Sequence, residues 1–139
     1  MYIGRILKVL VLAVSFFAAG SLCCPGVSSA ADVWCCSRDG RSFYLEPETI
    51  NAAGLPGGMD YRVLVKAVLE SDGSLEKRII YGFESQNDIL VAAIFNKSAE
   101  RWDFPEYAKE KPVLKAIWEN MKPYMKQMRI SYSDTWKWE

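Results

Sequence analysis

The chemistry open to this chain is limited first by a missing residue type, because none of its 139 residues is histidine. Histidine is the commonest general base, the usual partner of a Ser or Cys nucleophile, and the commonest metal ligand. Carboxylates are plentiful (Glu46, Glu48, Asp60, Asp103 and Glu106), but no pair has a spacing typical of glycosidase or metal chemistry. The sequence therefore predicts a protein that is not an enzyme and uses no cofactor and no metal.

The adjacent cysteines Cys35 and Cys36 form the one unusual pair of reactive groups. Neighbouring side chains on a strand point to opposite faces, which predicts one buried thiol and one near the surface. Three alternatives stay open: a vicinal disulfide, an intermolecular disulfide that makes a covalent dimer, and a soft-metal or redox role. Cys35 and Cys36 are thus the candidate redox or disulfide residues.

Aromatic side chains are the candidates for binding. Four of them are flanked by charged residues and are expected to be exposed: Trp102, Tyr107, Trp136 and Trp138. An exposed Trp beside an Arg can anchor a contact with another protein. These four residues form a candidate protein-binding set.

Charge and glycine patterns argue against nucleotide or nucleic-acid partners. The chain has 17 Lys and Arg against 17 Asp and Glu, so it carries no field that would attract nucleic acid or an anionic membrane. The glycines of residues 52–58 do not form a phosphate-binding loop, and this stretch is predicted to be an irregular loop.

Residues 1–30 have the features of an export signal. Arg5 and Lys8 precede an apolar run over residues 9–19, and small residues follow at Ser28 and Ala30. The run is shorter than the roughly 20 apolar residues that span a bilayer. We expect cleavage after Ala30 and a periplasmic or cell-surface location, with membrane contact only through the signal segment.

A lipoprotein signal is the competing interpretation of the same segment, because Cys23 and Cys24 follow the apolar run. The residue before a lipid-modified cysteine is normally small, whereas Leu22 precedes Cys23. The sequence therefore favours ordinary cleavage.

Residues 31–139 are long enough for a single small domain, which is predicted to be α+β. Apolar alternation and turn residues predict an antiparallel meander of about five strands, at residues 32–37, 42–46, 61–70, 77–84 and 89–95. Asp-Gly turns at Asp39-Gly40 and Asp72-Gly73 separate two of the strand pairs. A turn over residues 85–87 is expected before the last of these strands.

A C-terminal helix is predicted to begin near Pro112 and to pack across one face of this sheet. Its apolar stripe contains Leu114, Ile117, Trp118, Met121, Met125 and Met128. Pro123 is expected to kink or split the helix. Trp118 is predicted to be core, as are Tyr81 and Phe83 on a strand face. Residues 130–138 are interpreted as either a last short strand or a loose end.

The chain resembles the small exported bacterial proteins of the surface-adhesin protein E family. The resemblance is carried by Trp34, by Phe43-Tyr44-Leu45-Glu46-Pro47-Glu48-Thr49-Ile50, and by Tyr61-Arg62-Val63-Leu64-Val65-Lys66. It implies an antiparallel sheet backed by a C-terminal helix and binding to host matrix proteins. Family members commonly bridge a central strand to the last helix by a disulfide, but this sequence has no cysteine in either segment.

Three functions follow as hypotheses. The first is an exported, non-enzymatic interaction module that binds another protein of the envelope or a host surface. The second is a carrier or sensor of a small apolar ligand held between helix and sheet. The third is a thiol redox or metal role of Cys35 and Cys36.

Overall fold

A computed structural model describes residues 31–95, 100–103 and 110–139, and for residues 100–103 it describes the backbone alone. The expected signal segment, residues 1–30, lies outside the described residues. The described residues form one sheet and one helix near the C-terminus, a broadly α+β arrangement in which most residues are in strands.

The elements follow one another as β1 (Val33–Arg38), β2 (Arg41–Leu55), β3 (Gly58–Leu69), β4 (Leu75–Gln86), β5 (Ile89–Phe95), β6 (Glu100–Asp103), α1 (Lys111–Gln127) and β7 (Thr135–Trp136). Strands β1 to β6 are neighbours in sequence order, and each pair is antiparallel. The predicted pure meander of about five strands is wrong in its last part, because β7 pairs in parallel with β5. The free edge of β5 is thus shared, with β7 beside its beginning and β6 beside its end.

Two tight turns join neighbouring strands at backbone angles that few residue types adopt. Asp39 and Gly40 have φ of 52° and 74°, and Asn87 and Asp88 have φ of 49° and 62°. Two consecutive residues at positive φ define the hairpin turn whose twist matches that of paired strands, and Asp, Asn and Gly tolerate it best. The Asp39-Gly40 turn is confirmed. The turn expected over residues 85–87 lies at Asn87 and Asp88.

The loop predicted over residues 52–58 is instead part of a long hairpin. The pairing of β2 with β3 shifts register between Glu46 and Asn51 and then continues to the turn. Thr49 bridges the irregular stretch, because its hydroxyl donates to the Glu46 carbonyl at 2.7 Å and accepts from the Leu64 amide at 2.8 Å. These bonds replace ladder bonds lost at the shift, so the strand resumes beyond it.

The close approach of β3 and β4 requires glycine at position 58. A Cβ placed there would lie 1.7 Å from the carbonyl oxygen of Ser85, which is impossible without moving the β4 backbone. The glycine therefore allows β3 to pair with β4 up to the end of both strands.

Helix α1 lies on one face of the sheet with its apolar stripe inward. Val113, Leu114, Ile117, Trp118, Met121 and Met125 are buried. Pro123 does not split the helix, which continues to Gln127. Just beyond the helix, Arg129 is at positive φ and the Ile130 amide donates to the Met125 carbonyl, a bond typical of helix ends.

The tail after α1 fills one end of the helix-to-sheet interface. Trp118 donates through Nε1 to the Ser133 carbonyl at 3.0 Å, and its ring meets those of Tyr61 and Phe83 at centroid distances of 4.9 and 5.1 Å. Trp136 packs against Phe83 and Trp118 as β7 pairs with β5. We call this group, Tyr61, Phe83, Trp118 and Trp136, the tryptophan end.

The opposite face of the sheet is not covered by the helix. Glu46 is buried there beneath Arg78, whose guanidinium donates to its carboxylate at 2.6 and 3.0 Å, while Lys66 approaches to 3.4 Å. Trp34 is 54% exposed and Ile80 is 40% exposed on this side. We call this the bare face.

Candidate ligand cavity at the start of the helix

A cavity of about 320 Å3 lies where the beginning of α1 faces the sheet, at the end opposite the tryptophan end. Its apolar walls come from β2, β4, β5 and α1: Phe43, Ile79, Tyr81, Phe95 and Val113. Its charged rim consists of Arg38, Asp39, Arg41, Lys77 and Glu110. Pockets for small molecules in proteins typically begin at about 300 Å3 and combine apolar walls with a few polar groups.

Strand alternation explains why the apolar walls converge. In β4 the side chains of Lys77, Ile79 and Tyr81 are two residues apart and share one face. Cross-strand register places Tyr81 opposite Phe95, and their rings meet edge to face with centroids 5.0 Å apart. Val113 adds the helix wall. The cavity is therefore bounded by side chains already held by strand pairing and core contacts.

Most charges on the rim are paired. Arg38 contacts Asp39 at 3.4 Å and Glu110 at 3.3 Å, which ties the β1–β2 turn to the residue before α1. Arg41 binds the carboxylate of Glu76 through two nitrogens.

Lys77 differs from the other cations of the rim. It is exposed, and no carboxylate of the described residues lies within ion-pair distance of its ammonium group. Its charge still contributes to the lowered pKa of the neighbouring Glu76. The rim thus offers one cation that is not already engaged by a carboxylate.

Tyr81 supplies a polar group inside the cavity. Its side chain is only 6% exposed, and none of the described residues forms a hydrogen bond with its hydroxyl. Burial raises the pKa of Tyr81, and the nearby Glu110 carboxylate raises it further. The hydroxyl therefore stays protonated at neutral pH and can donate a hydrogen bond to a molecule in the cavity.

Cys35 and Cys36 lie beside this end of the interface as free thiols, one buried and one half-buried. The expected difference in burial between the two thiols is present, but a register irregularity between Trp34 and Cys36 interrupts the regular alternation of faces. Cys36 is paired with Phe43, a core residue, and Cys35 is also part of the core. The extra residue lets two consecutive side chains pack toward one side.

Burial makes both thiols poor nucleophiles. It raises the pKa of Cys35 to about 12 and raises that of Cys36 as well, with Arg38 partly opposing the second shift. A thiol reacts as its thiolate, which is scarce at neutral pH when the pKa is raised. The thiol redox role therefore gains no support from the geometry, and the intermolecular disulfide stays a prediction.

The structure separates the four aromatic residues of the candidate protein-binding set. The expected exposure of Trp136 is wrong: it is 3% exposed, because β7 pairs with β5 and turns the ring into the core. Trp138 is half-buried and stacks on Trp136 at 4.8 Å, with the Lys111 ammonium 5.3 Å from its ring. The side chain of Trp102 and the whole of Tyr107 lie outside the described residues.

Sequence reasoning missed both Tyr81 and Lys77 as site residues. Tyr81 was predicted to be core, which is confirmed, but its hydroxyl faces a cavity that no pattern reveals. The sequence did contain one signal for this site. Lys77 alternates with Ile79 and Tyr81 on one strand face, and that face is expected to be buried.

No group of three or more potential metal ligands occurs in the described parts of the chain. None of the described helical residues forms a helix long and apolar enough to cross a membrane.

Comparison of the chain with known protein families, curated proteins and solved structures finds no match.

Proposed function

We propose that the protein is an exported, non-enzymatic binding protein that holds a small molecule in the cavity at the start of α1. The observation that carries the proposal is a space of about 320 Å3 lined by Tyr81, whose side chain is 6% exposed and whose hydroxyl has no hydrogen-bond partner among the described residues. This hydroxyl can donate a hydrogen bond to a ligand acceptor in the cavity. The proposal that the protein is exported rests on the signal-like features of residues 1–30.

The proposed site differs from the ligand site that the helix pattern first suggested. Trp118, Met121 and Met125 are fully buried against the sheet, so this part of the stripe is already occupied by core packing. The space between helix and sheet lies instead near Val113, at the other end of the same stripe. The second sequence hypothesis is thereby kept, with a new location.

The non-enzymatic part is supported by the groups around the cavity. The chain has no histidine, and the two carboxylates that line the cavity, Asp39 and Glu110, both contact Arg38. A rim of this kind favours binding of a ligand over its chemical conversion.

The test begins with residues 31–139 purified from the envelope of the producing cell and examined by native mass spectrometry. Wild-type protein should carry a small molecule, and Val113→Phe should lose it because the larger ring fills the space. Ile80→Phe, on the bare face, is the matched control and should keep the ligand. A wild-type protein that carries nothing, and whose melting temperature no small organic acid, alcohol or amide raises, would overturn the proposal.

The bare face favours a second candidate function, the binding of another protein of the envelope or a host surface. Trp34 and Ile80 are large apolar side chains exposed there, and Trp34 is paired with Tyr44 on the next strand. Exposed tryptophan is enriched among residues that dominate protein contacts. The resemblance to the adhesin family, which rests partly on Trp34, points the same way.

This second function has its own test. Immobilised wild-type protein is exposed to envelope and matrix extracts, beside Trp34→Ala and Val113→Phe variants. A partner captured by wild type and Val113→Phe but not by Trp34→Ala supports binding through the bare face. Equal capture by all three proteins, or none at micromolar concentration, counts against it.

A further inference from the structure

We propose that the ligand of the cavity is a small monocarboxylate with an apolar body, of about ten non-hydrogen atoms in all. The inference rests on the proposed function, because it names the class of molecule for the same site. Three features of the described residues support it: the size of the space, the composition of its walls, and Lys77, the cation of the rim that has no ion pair.

Size limits the ligand first. A volume of about 320 Å3 corresponds to roughly ten water molecules at ~30 Å3 each. Lipids with two chains, peptides and nucleotides are too large to be enclosed. A single aromatic ring or a short branched chain with one polar group has the right size.

Part of the cavity wall consists of apolar side chains that can pack against an apolar body. Phe43, Tyr81 and Phe95 present aromatic rings, and Ile79 and Val113 add branched aliphatic groups. Aromatic rings pack edge to face or offset with centroids at 4.5–7 Å, so a flat ring in the ligand can continue the contact that Tyr81 makes with Phe95.

The rim specifies the charge of the polar group. Arg38 is held by Asp39 and Glu110, and Arg41 by Glu76. Lys77 is the cation of the rim that no carboxylate of the described residues pairs. With Glu76, the partner of Arg41, the rim has three cations and three carboxylates, and Lys77 is the cation among them that has no ion pair within the described residues.

A ligand with one negative charge can therefore pair with Lys77, whereas the second charge of a dianion such as a phosphate monoester would find no unpaired cation on the rim. The ligand carboxylate is placed to accept from the Lys77 ammonium and from the Tyr81 hydroxyl. Charge-assisted hydrogen bonds of this kind are stronger than neutral ones. A cationic ligand finds no free carboxylate, because Asp39 and Glu110 are both engaged by Arg38.

The test uses three probes of nearly equal size and shape: phenylacetate, phenylacetamide and phenethylammonium. Binding to residues 31–139 is measured by calorimetry at low salt. Phenylacetate should bind at least tenfold more tightly than the amide, and the ammonium should not bind measurably. Lys77→Met should weaken phenylacetate about tenfold and leave the amide unchanged, whereas Lys126→Met, in the last turn of α1, should change neither.

Tyr81→Phe separates the two polar contacts, and it should weaken both the acid and the amide by a few fold. Equal binding of acid and amide, or an unchanged affinity in Lys77→Met, overturns the carboxylate inference while the proposed function stands. If no probe binds but native mass spectrometry finds a bound molecule, the inference fails alone. If neither is found, both fail.

Discussion

The two ends of the interface between α1 and the sheet share the helix and strand β4, yet one is filled and the other is hollow. At the tryptophan end, Trp118 is wholly buried between sheet rings and a tail that returns to pair with β5. At the cavity end, Val113 faces about 320 Å3 of space bounded by ionic groups.

The difference comes from what closes each end. The tail after α1 supplies a carbonyl for Trp118 and a second indole, Trp136, so a large aromatic cluster forms. The cavity end is bordered by the Arg38–Glu110 ion pair, which spans the opening without filling it. A core can therefore be complete at one end of a single helix and leave room for a ligand at the other.

The largest expected effect is at the filled end. Trp118→Ala should lower the free energy of unfolding by about 3–5 kcal/mol, because it removes a fully buried side chain and leaves a void. Val113→Ala should cost about 1.5 kcal/mol, the value for two buried methyl-sized groups at ~0.8 kcal/mol each. Urea denaturation of residues 31–139 measures both. Equal losses would contradict the comparison.

Enlarging a buried side chain, instead of truncating it, also distinguishes the two ends of the interface. Ile117 and Val113 lie one turn apart on the same stripe of α1. Ile117→Phe should destabilise by about 1–3 kcal/mol, since no space receives the extra atoms. Val113→Leu should change stability by no more than about 0.5 kcal/mol, because its added methylene enters the cavity. Thermal denaturation of the two variants side by side measures both changes in stability. A larger loss of stability in Val113→Leu than expected would show that the cavity end is also filled.

These expectations show why the fold was more predictable than the site. Strand alternation and the apolar stripe of α1 depend on periodicity, which is local, so the first five strands, the helix and the core role of Trp118 followed from the sequence. The parallel pairing of β7 and the continuation of β2 past Glu46 did not. The first depends on contacts between distant segments, and the second on the hydroxyl of Thr49.

A smaller effect is expected at Cys35, next to the cavity end. Cys35→Ser should cost about 1–2 kcal/mol, because a buried hydroxyl needs a hydrogen-bond partner more than a thiol does. Cys36→Ser should cost less, since this side chain is half-buried.

The reactivity of the thiols provides an independent check. With a pKa of about 12, roughly one Cys35 thiol in ten thousand is ionised at pH 8. Iodoacetamide should therefore label it only after unfolding in urea, as followed by mass spectrometry. Rapid labelling of Cys35 in the folded protein would contradict its buried position.

The smallest expected effect concerns the rim of the cavity. Arg41 holds the pKa of Glu76 below its ordinary value of 4.5. A lowered pKa in the folded state means that the pair stabilises the fold above pH 4.5, and that this stabilisation disappears as the pH falls through the lower folded value. Glu76→Gln should therefore lower the melting temperature slightly at pH 7 and not at all in strong acid.

Glu48→Gln is the matched control, because Glu48 is exposed and has no ion pair among the described residues. It should melt like the wild type across the same pH series. A Glu76→Gln deficit that persists in strong acid would mean that the side chain supports the rim by packing rather than by charge.

The site was less predictable because a cavity is defined by what several distant residues fail to fill. Tyr81 and Phe95 look like ordinary core aromatics in the sequence, and Lys77 looks like a solvated charge. Only the cross-strand register, together with the position of Val113 on the helix, brings their side chains around one space. Exposure of Trp136 was wrongly expected for a related reason, since its neighbours in sequence are charged while its neighbours in space are Phe83 and Trp118.

The position of Trp136 in β7, which follows the helix in the chain, has a consequence for how the fold forms. Its strand β7 pairs with Ile89 and Leu90, which are synthesised more than forty residues earlier. Chains are synthesised from the N-terminus, and a contact between distant segments forms only when the later segment is available. The aromatic cluster around Trp118 therefore stays open to solvent until β7 has been synthesised and has paired with β5.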